Sequence, residues 1–246
     1  MTRAAVLVTG ASRGIGLGIA ERLAAQGTSL TIAARRADAL EAVAVRLREL
    51  GAPRVVAVAA DIAEAEQVES VVAAHEQAYE TMGALILNAG VGSAGPVAQY
   101  PLRRFDKTVA INLRAPLQLL QLALPALRKA AAQDPVRGAR IVALASLTGV
   151  FAEPGLAVYG ATKAALISMI RTLNTEESGN GIAATTISPG YVDTDMSAWI
   201  RDRIAPEEMI SVADVVELVD ALLRMSARAV VPDIVVSRAG TSGYTA

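Results

Sequence analysis

Tyr159 and Lys163 stand four residues apart in the run Tyr-Gly-Ala-Thr-Lys. On a helix that spacing places a phenol and an ammonium on one face, one turn apart. Such a pair could pass a proton to or from a carbonyl oxygen. A phenol ionises near pH ~10 in water, so to work as a general acid/base near neutrality it needs a cation that stabilises phenolate. Lys163 is placed to be that cation. Any amphipathic surface helix could carry Tyr-x-x-x-Lys, so the meaning of the pair depends on what the rest of the chain sets beside it.

A second group of residues points to an anion. The run Ala4 to Val8 reads as a strand and leads into Thr9-Gly10-Ala11-Ser12-Arg13-Gly14-Ile15-Gly16, where a helical pattern begins at once. Gly10 allows a tight turn, Gly14 lets backbone approach a pyrophosphate, and Gly16 permits close packing of helix on strand. The spacing differs from the usual Gly-x-Gly-x-x-Gly fingerprint, but strand before and helix after is the context that gives a glycine loop this meaning.

The elements that must position these groups are legible from short aliphatic runs alternating with longer helical ones. Strands are expected at Ala4–Val8, Ser29–Ala34, Val55–Ala59, Ala84–Leu87, Arg140–Ala145, Ile182–Ile187 and Val230–Val236. Helices are expected near 15–26, 38–50, 64–81, 103–131, 157–178 and 211–225. Strand and helix repeated in this way predict an α/β fold of the Rossmann type, a doubly wound parallel sheet of about seven strands with helices on both faces. With 246 residues, 53% of them hydrophobic, and no Pro/Gly/Ser-rich linker, the chain is expected to form a single domain.

Composition narrows the chemistry. A net charge of -1 gives no electrostatic reason to expect nucleic acid or an anionic membrane as partner. The chain has no cysteine and a single histidine, His75, which excludes thiolate chemistry and a Cys/His zinc site. No metal is expected. The apolar stretch Ile141 to Ala152 is interrupted by Ser146, Thr148 and Gly149 and falls short of the ~20 residues a spanning helix needs. No signal-peptide run precedes the first strand, so a soluble, cytoplasmic protein is expected.

Thr-Gly-x-x-x-Gly-x-Gly near the start, followed roughly 145 residues later by Tyr-x-x-x-Lys, resembles the short-chain dehydrogenase/reductase family. Asn88-Ala89-Gly90 after the fourth strand, Asn112 in the long helix and Ser146 thirteen residues before Tyr159 extend the resemblance. So do Pro189-Gly190, Val192 and Thr194 after the sixth strand. It implies hydride transfer between a nicotinamide and a ketone or secondary alcohol, as in 3-oxoacyl-thioester reductases and carbonyl reductases. Tyr159 would exchange a proton with the carbonyl or alcohol oxygen, and Ser146 would hydrogen-bond that oxygen. Lys163 would lower the tyrosine pKa and hold the nicotinamide ribose. The resemblance also implies a cofactor cradle of Gly10, Ser12, Arg13, Gly14, Ile15, Gly16, Asn88, Ala89, Gly90, Pro189, Gly190, Val192 and Thr194.

Asn112 carries a physical argument of its own. Pro116 follows it by four residues and has no N–H to give to the Asn112 carbonyl. In the family the equivalent carbonyl binds a water that relays protons to the active-site lysine. The plain alternative is a kink that shapes packing.

Cofactor choice is read from Ala33-Ala34-Arg35-Arg36 at the end of the second strand. An acidic residue there would bind the ribose 2′-hydroxyl and repel a 2′-phosphate. Ala34 is small and Arg35 follows, so with Arg13 two guanidinium groups could clamp the phosphate, and NADP(H) is expected over NAD(H). The alternative is solvated charge leading into a helix capped by Asp38. Asp61 heads Asp61-Ile62-Ala63-Glu64, which reads as a capping box. The family's aspartate here instead binds the adenine amino group, with Ile62 packed near the ring.

Substrate identity is less legible. Residues 191–210, with Met196, Trp199 and Ile200, fall where the family carries a substrate lid. Leu147, Phe151, Glu153 and Tyr191 are candidates for lining the pocket, and Glu153 speaks against an anionic group beside it. The final stretch, Val231 to Val236 and then Ser237 to Tyr244, departs from the family's glycine-rich ending, and Pro232 suits a strand start or an edge. Phe105, Val109, Leu113, Leu117, Leu120 and Leu124 recur at helical intervals, with Leu119, Leu122 and Ala123 widening the apolar face beyond what one sheet covers. A homo-oligomer, a tetramer or a dimer, is expected.

Overall fold

The computed structural model describes residues 4–243. Its strands are β1 (Val6–Thr9), β2 (Leu30–Ala34), β3 (Val55–Ala59), β4 (Ala84–Leu87), β5 (Ala139–Leu144), β6 (Ile182–Pro189) and β7 (Asp233–Val236). The helices are α1 (Gly14–Ala25), α2 (Ala37–Glu49), α3 (Ala65–Tyr79), α4 (Leu102–Val109), α5 (Ala115–Gln133), α6 (Ala157–Glu177) and α7 (Val212–Arg224). The strands form one seven-stranded sheet in the order β3-β2-β1-β4-β5-β6-β7, with every pair parallel. Strand order reverses between β1 and β4, which opens a crevice at the carboxyl ends of those strands.

In the central strands β1, β2, β4, β5 and β6 both faces are buried, which explains their near-continuous aliphatic character, while the edge strands β3 and β7 are partly open. Alternation still sorts the side chains. Val6 and Val8 of β1 join Ala84 and Ile86 of β4 in one core with α1, α2 and α7. Leu7, Leu85 and Leu87 point the other way, into a core shared with α3, α5 and α6. His75 belongs to this interior. Thr31 donates to its Nδ1 at 2.8 Å, its Nε2 donates to the Thr81 carbonyl at 3.2 Å, and burial lowers its pKa to about 4.

Four local expectations are corrected. The helix expected over 103–131 is three pieces: α4, a π turn over Ala110–Arg114, and α5. Pro116 cannot supply the hydrogen bond that would continue the α pattern, and the Ala115 N–H reaches back to the Ala110 carbonyl. Asp38 does not cap α2; it lies inside the first turn, and Arg36 is the flanking residue. Asp61 does not form a capping box. Its Oδ1 accepts from Ala63 N–H at 3.0 Å in a tight turn, its own N–H donates to Gln67 Oε1 at 2.7 Å, and α3 starts one turn later. Finally, β7 begins at Asp233, not at Val230. Pro232 stands just before it and offers its carbonyl to the Thr186 N–H at 3.0 Å.

Among the described residues no helix is long and apolar enough to cross a membrane. Tyr244 lies outside the described residues.

Candidate active site

A cleft of about 600 Å³ opens at the carboxyl ends of the strands. One end is built from the glycine loop between β1 and α1. Gly10 and Gly14 have φ of +68° and +56°, conformations that glycine adopts without strain. α1 carries no side-chain cap and no acidic residue in its first turn, so its first N–H groups and the positive end of its dipole are left to receive an anion. A Cβ on Gly16 would stand 2.3 Å from Asn88 Nδ2 and 2.4 Å from the Gly10 carbonyl. The close packing expected of Gly16 is therefore real, and its nearest neighbour is a loop side chain.

Asn88 joins that loop to the end of β4. Its Nδ2 donates to the carbonyls of Thr9 and Gly10 at 3.0 and 3.1 Å, while Thr9 Oγ1 accepts from the N–H groups of Asn88 and Ala89 at 3.1 and 3.2 Å. Asn112, buried in the π turn, takes hold of the same loop further along. Its Oδ1 accepts from Val91 N–H at 2.9 Å, and its Nδ2 donates to the Val91 carbonyl at 3.0 Å and to Thr162 Oγ1 at 3.2 Å. Thr162 in turn donates to the Tyr159 carbonyl at 2.8 Å. Asn112 thus ties the β4 loop to the turn of α6 that carries Tyr159.

At the other end of the cleft stand Tyr159 and Lys163 on one face of α6, with Ser146 at the end of β5. Ser146 caps a short 3-10 turn, Leu147–Gly149, by accepting from Thr148 N–H at 3.3 Å. Glycines press this turn onto α6. A Cβ on Gly149 would lie 2.9 Å from the backbone of Lys163 and Ala164, and one on Gly160 would lie 2.6 Å from the Thr148 carbonyl. The roles of Gly149 and Gly160 were not legible in advance, although Gly160 sits beside Tyr159 in the motif itself.

The electrostatics depart from the sequence expectation. Burial raises the Tyr159 pKa above that of a free phenol, and the Ser146 hydroxyl partly offsets the rise. Lys163 is not the group that lowers it. Its Nζ lies 5.7 Å from the centroid of the tyrosine ring and donates to the Leu144 carbonyl at 2.7 Å, and its own pKa is pushed down by burial to about 8. At neutral pH the site therefore holds a protonated phenol, a hydroxyl and an ammonium, which suits proton donation to an oxygen.

Of the residues expected in the site, Gly10, Ser12, Arg13, Ile15, Arg35, Asp61, Ile62, Asn88, Ala89, Gly90, Ser146, Tyr159, Lys163, Pro189, Gly190, Val192 and Thr194 line this cleft. Gly14, Gly16 and Asn112 do not; they hold the walls. Arg13 does not stand free beside Arg35 as a clamp would require. It pairs with Asp195 across the cleft mouth at 2.9 Å, both side chains being largely exposed. Arg35 is exposed and makes no ion pair among the described residues. Of the pocket candidates, Glu153, Tyr191, Met196 and Trp199 line the cleft, while Leu147 is fully buried beneath it, Ile200 is buried too, and Phe151 stays off the wall. Ser93, Ala94, Thr148 and Leu156 are among the further wall residues that no sequence signal singled out.

The family profile described as short chain dehydrogenase matches residues 4–205. A 2-(R)-hydroxypropyl-CoM dehydrogenase from Xanthobacter autotrophicus is 31% identical over 207 residues, covering 82% of this chain and 80% of the relative. A short chain dehydrogenase from Burkholderia cenocepacia, solved in complex with NADP, superposes with a TM-score of 0.83 at 31% identity over 97% of this chain and 96% of its own. A 3-oxoacyl-[acyl-carrier protein] reductase from Brucella melitensis, solved with NAD, gives a TM-score of 0.86 at 29% identity over 96% of each chain. With the sheet order, the glycine loop and the Ser146, Tyr159 and Lys163 cluster, these matches make the chain a member of the short-chain dehydrogenase/reductase family, oxidoreductases that act on CH–OH and C=O groups.

Proposed function

We propose that the protein is an NADP(H)-preferring oxidoreductase that interconverts a ketone and a secondary alcohol. The observation that carries this reading is the convergence of Ser146, Tyr159 and Lys163 on the same cleft as the glycine loop. A dinucleotide fits the residues present: positive-φ glycines and an uncapped α1 N-terminus for the diphosphate, Asp61 and Ile62 for the adenine end, and Lys163 and the Asn88–Gly90 backbone for the nicotinamide end. When bound, the nicotinamide supplies hydride to the carbonyl carbon or removes it from the alcohol carbon. Tyr159 gives its phenolic proton to the carbonyl oxygen in reduction and takes it back in oxidation. Ser146 donates a hydrogen bond to that oxygen as its charge grows and also favours the tyrosinate left behind, while the Lys163 ammonium holds the nicotinamide ribose. Asn112 positions the Tyr159 turn and the β4 loop.

The preference for the 2′-phosphorylated cofactor rests on Ala34 and Arg35. No carboxylate stands at the end of β2 to bind a 2′-hydroxyl, and Arg35 is exposed at the cleft without a competing acid. Arg13 is available to the same phosphate once it leaves Asp195.

The test is a panel of ketones, acyl-thioester ketones and secondary alcohols followed by NADPH or NADP absorbance. Turnover of at least one member is expected. Binding of NADPH without turnover of any would leave a non-catalytic cofactor-binding protein on the same fold.

A homo-oligomer is part of this reading. Val97, Leu102, Phe105 and Leu117 are all exposed on or beside α4 and α5, at 74%, 78%, 41% and 44% of their full accessibility. A second copy of the chain is the occupant the family's architecture supplies for this face. Light scattering across micromolar concentrations should give a dimer or tetramer mass; a monomer throughout overturns this part alone.

A further inference from the structure

The cleft wall opposite the glycine loop contains one carboxylate that is only half engaged. Glu153 lines the cleft, and its Oε1 accepts from the Tyr191 hydroxyl at 2.6 Å. Its Oε2 is buried and has no hydrogen-bond partner. No ion pair among the described residues includes Glu153. Arg203 and Arg238 act on Tyr191 through space, but neither lines the cleft or pairs with the carboxylate, and the buried Arg238 Nε is itself left without a partner and does not reach Oε2. Leu156, Met196 and Trp199 bring apolar surface to the same cleft, with Trp199 packed edge-on to the Tyr191 ring, centroids 5.9 Å apart. A buried acceptor left unpaired is unfavourable, and native proteins rarely keep one without a use.

Tyr191 cannot relieve it. Burial, followed by the hydrogen bond to Glu153, holds the phenol above its ordinary pKa, so the tyrosine remains a donor whose single proton already serves Oε1. No side chain among the described residues bonds Oε2, and the cleft that Glu153 lines is the open side from which a partner can reach it. A carboxylate accepts and does not donate, so the occupant must bring the proton.

We infer that Glu153 is a specificity-determining residue: the preferred substrate is a ketone that also carries a hydrogen-bond donor, a hydroxyl or protonated amine, to meet Oε2, and ketones carrying a carboxylate or sulfonate are rejected. This rests on the reductase reading above. A site built to bond a donor discriminates strongly against an analogue lacking it, because the buried partner is then stranded. Repulsion by the same carboxylate excludes anions.

The experiment uses the full chain with NADPH and three matched ketones: cyclohexanone, 4-hydroxycyclohexanone and 4-oxocyclohexanecarboxylate. The hydroxyl-bearing ketone should exceed the parent in kcat/KM by roughly tenfold or more, and the carboxylate should fall below the parent. Glu153→Leu removes both acceptor oxygens and the charge at similar bulk, so it should erase the hydroxyl preference and relieve the exclusion of the carboxylate. Tyr191→Phe leaves the carboxylate in place and should retain the preference, which covers the case in which Glu153→Leu fails to fold. Equal kcat/KM for the first two ketones in the wild type, or a preference unchanged in a folded Glu153→Leu protein, overturns the inference while leaving the reductase reading intact. If none of the three is turned over, the thermal shift each gives the NADPH-bound protein still decides: equal shifts for the parent and hydroxyl compounds overturn the inference, and a larger shift for the hydroxyl compound supports it. The reductase reading is then judged on the wider ketone panel.

Discussion

The Lys163 ammonium donates to the Leu144 carbonyl at 2.7 Å, so the active-site cation is fastened to the end of β5. Burial beneath the cleft lowers its pKa from 10.5 to about 8. The unfolded chain keeps that proton up to the ordinary value, so between about 8 and 10.5 it binds more protons than the native state, and this group makes stability rise with pH. Denaturant midpoints measured across the window for wild type and Lys163→Met should show the rise in the former and its loss in the latter. Parallel curves would mean that Lys163 titrates normally in the folded protein.

Tyr159→Phe removes the transferable proton while keeping the ring that fills the cleft wall. Turnover should fall by at least the ~10²–10⁴ typical of a positioned acid or base. NADPH fluorescence titration should show cofactor affinity within a few-fold of wild type. Near-normal activity in this variant rules out the phenol as proton donor.

Replacing Arg35 by Ala should weaken NADPH binding by roughly ten- to a hundredfold and leave NADH nearly unaffected, since a charge-assisted pair with the phosphate is lost. Ala34→Asp should invert the preference by supplying a ribose acceptor that repels the phosphate. Asp195→Asn should act in the opposite sense and tighten NADPH by a few-fold, because it frees Arg13 from the pairing at the cleft mouth. Equal weakening of both cofactors by Arg35→Ala would mark the arginine as solvated charge.

Gly160→Ala tests the turn that holds Ser146. The added methyl would fall 2.6 Å from the Thr148 carbonyl, and backbone cannot rotate away as a long side chain would. We expect kcat to drop by about 10² as Ser146 is displaced by a fraction of an ångström to an ångström, with NADPH affinity little changed. Gly179→Ala, where a Cβ meets nothing within 4 Å, is the control.

The strands and helices were legible because burial on both faces forces long aliphatic runs, and the glycines and polar residues between them stand out against that background. The π turn was half legible. Pro116 signalled that the Asn112 carbonyl would lose its usual partner, yet nothing in the sequence showed that the Asn112 side chain would grip Val91 from both sides. Asp61 and Glu64 had the spacing of a cap and did not form one, whereas Ser211 and Asp214 do, with Ser211 Oγ accepting from Asp214 N–H at 3.1 Å. Local pattern alone does not distinguish the two; an Asx turn at Asp61 competes for the same carboxylate. The pKa of Tyr159 was read from its sequence neighbour, but depth of burial sets its direction, and burial is a property of the assembled walls.

The contact between Gly16 and Asn88 has a consequence for anyone who would re-engineer this protein. The first helix leaves room at Gly16 for a carboxamide from the fourth strand's loop, and that carboxamide bonds the backbone of the first loop, so two distant stretches of chain share one contact. A loop carrying any side chain at position 16 would collide with that carboxamide and with the Gly10 carbonyl. Exchange of cofactor modules in this scaffold therefore has to respect both stretches together, residues 9–16 with residues 86–91.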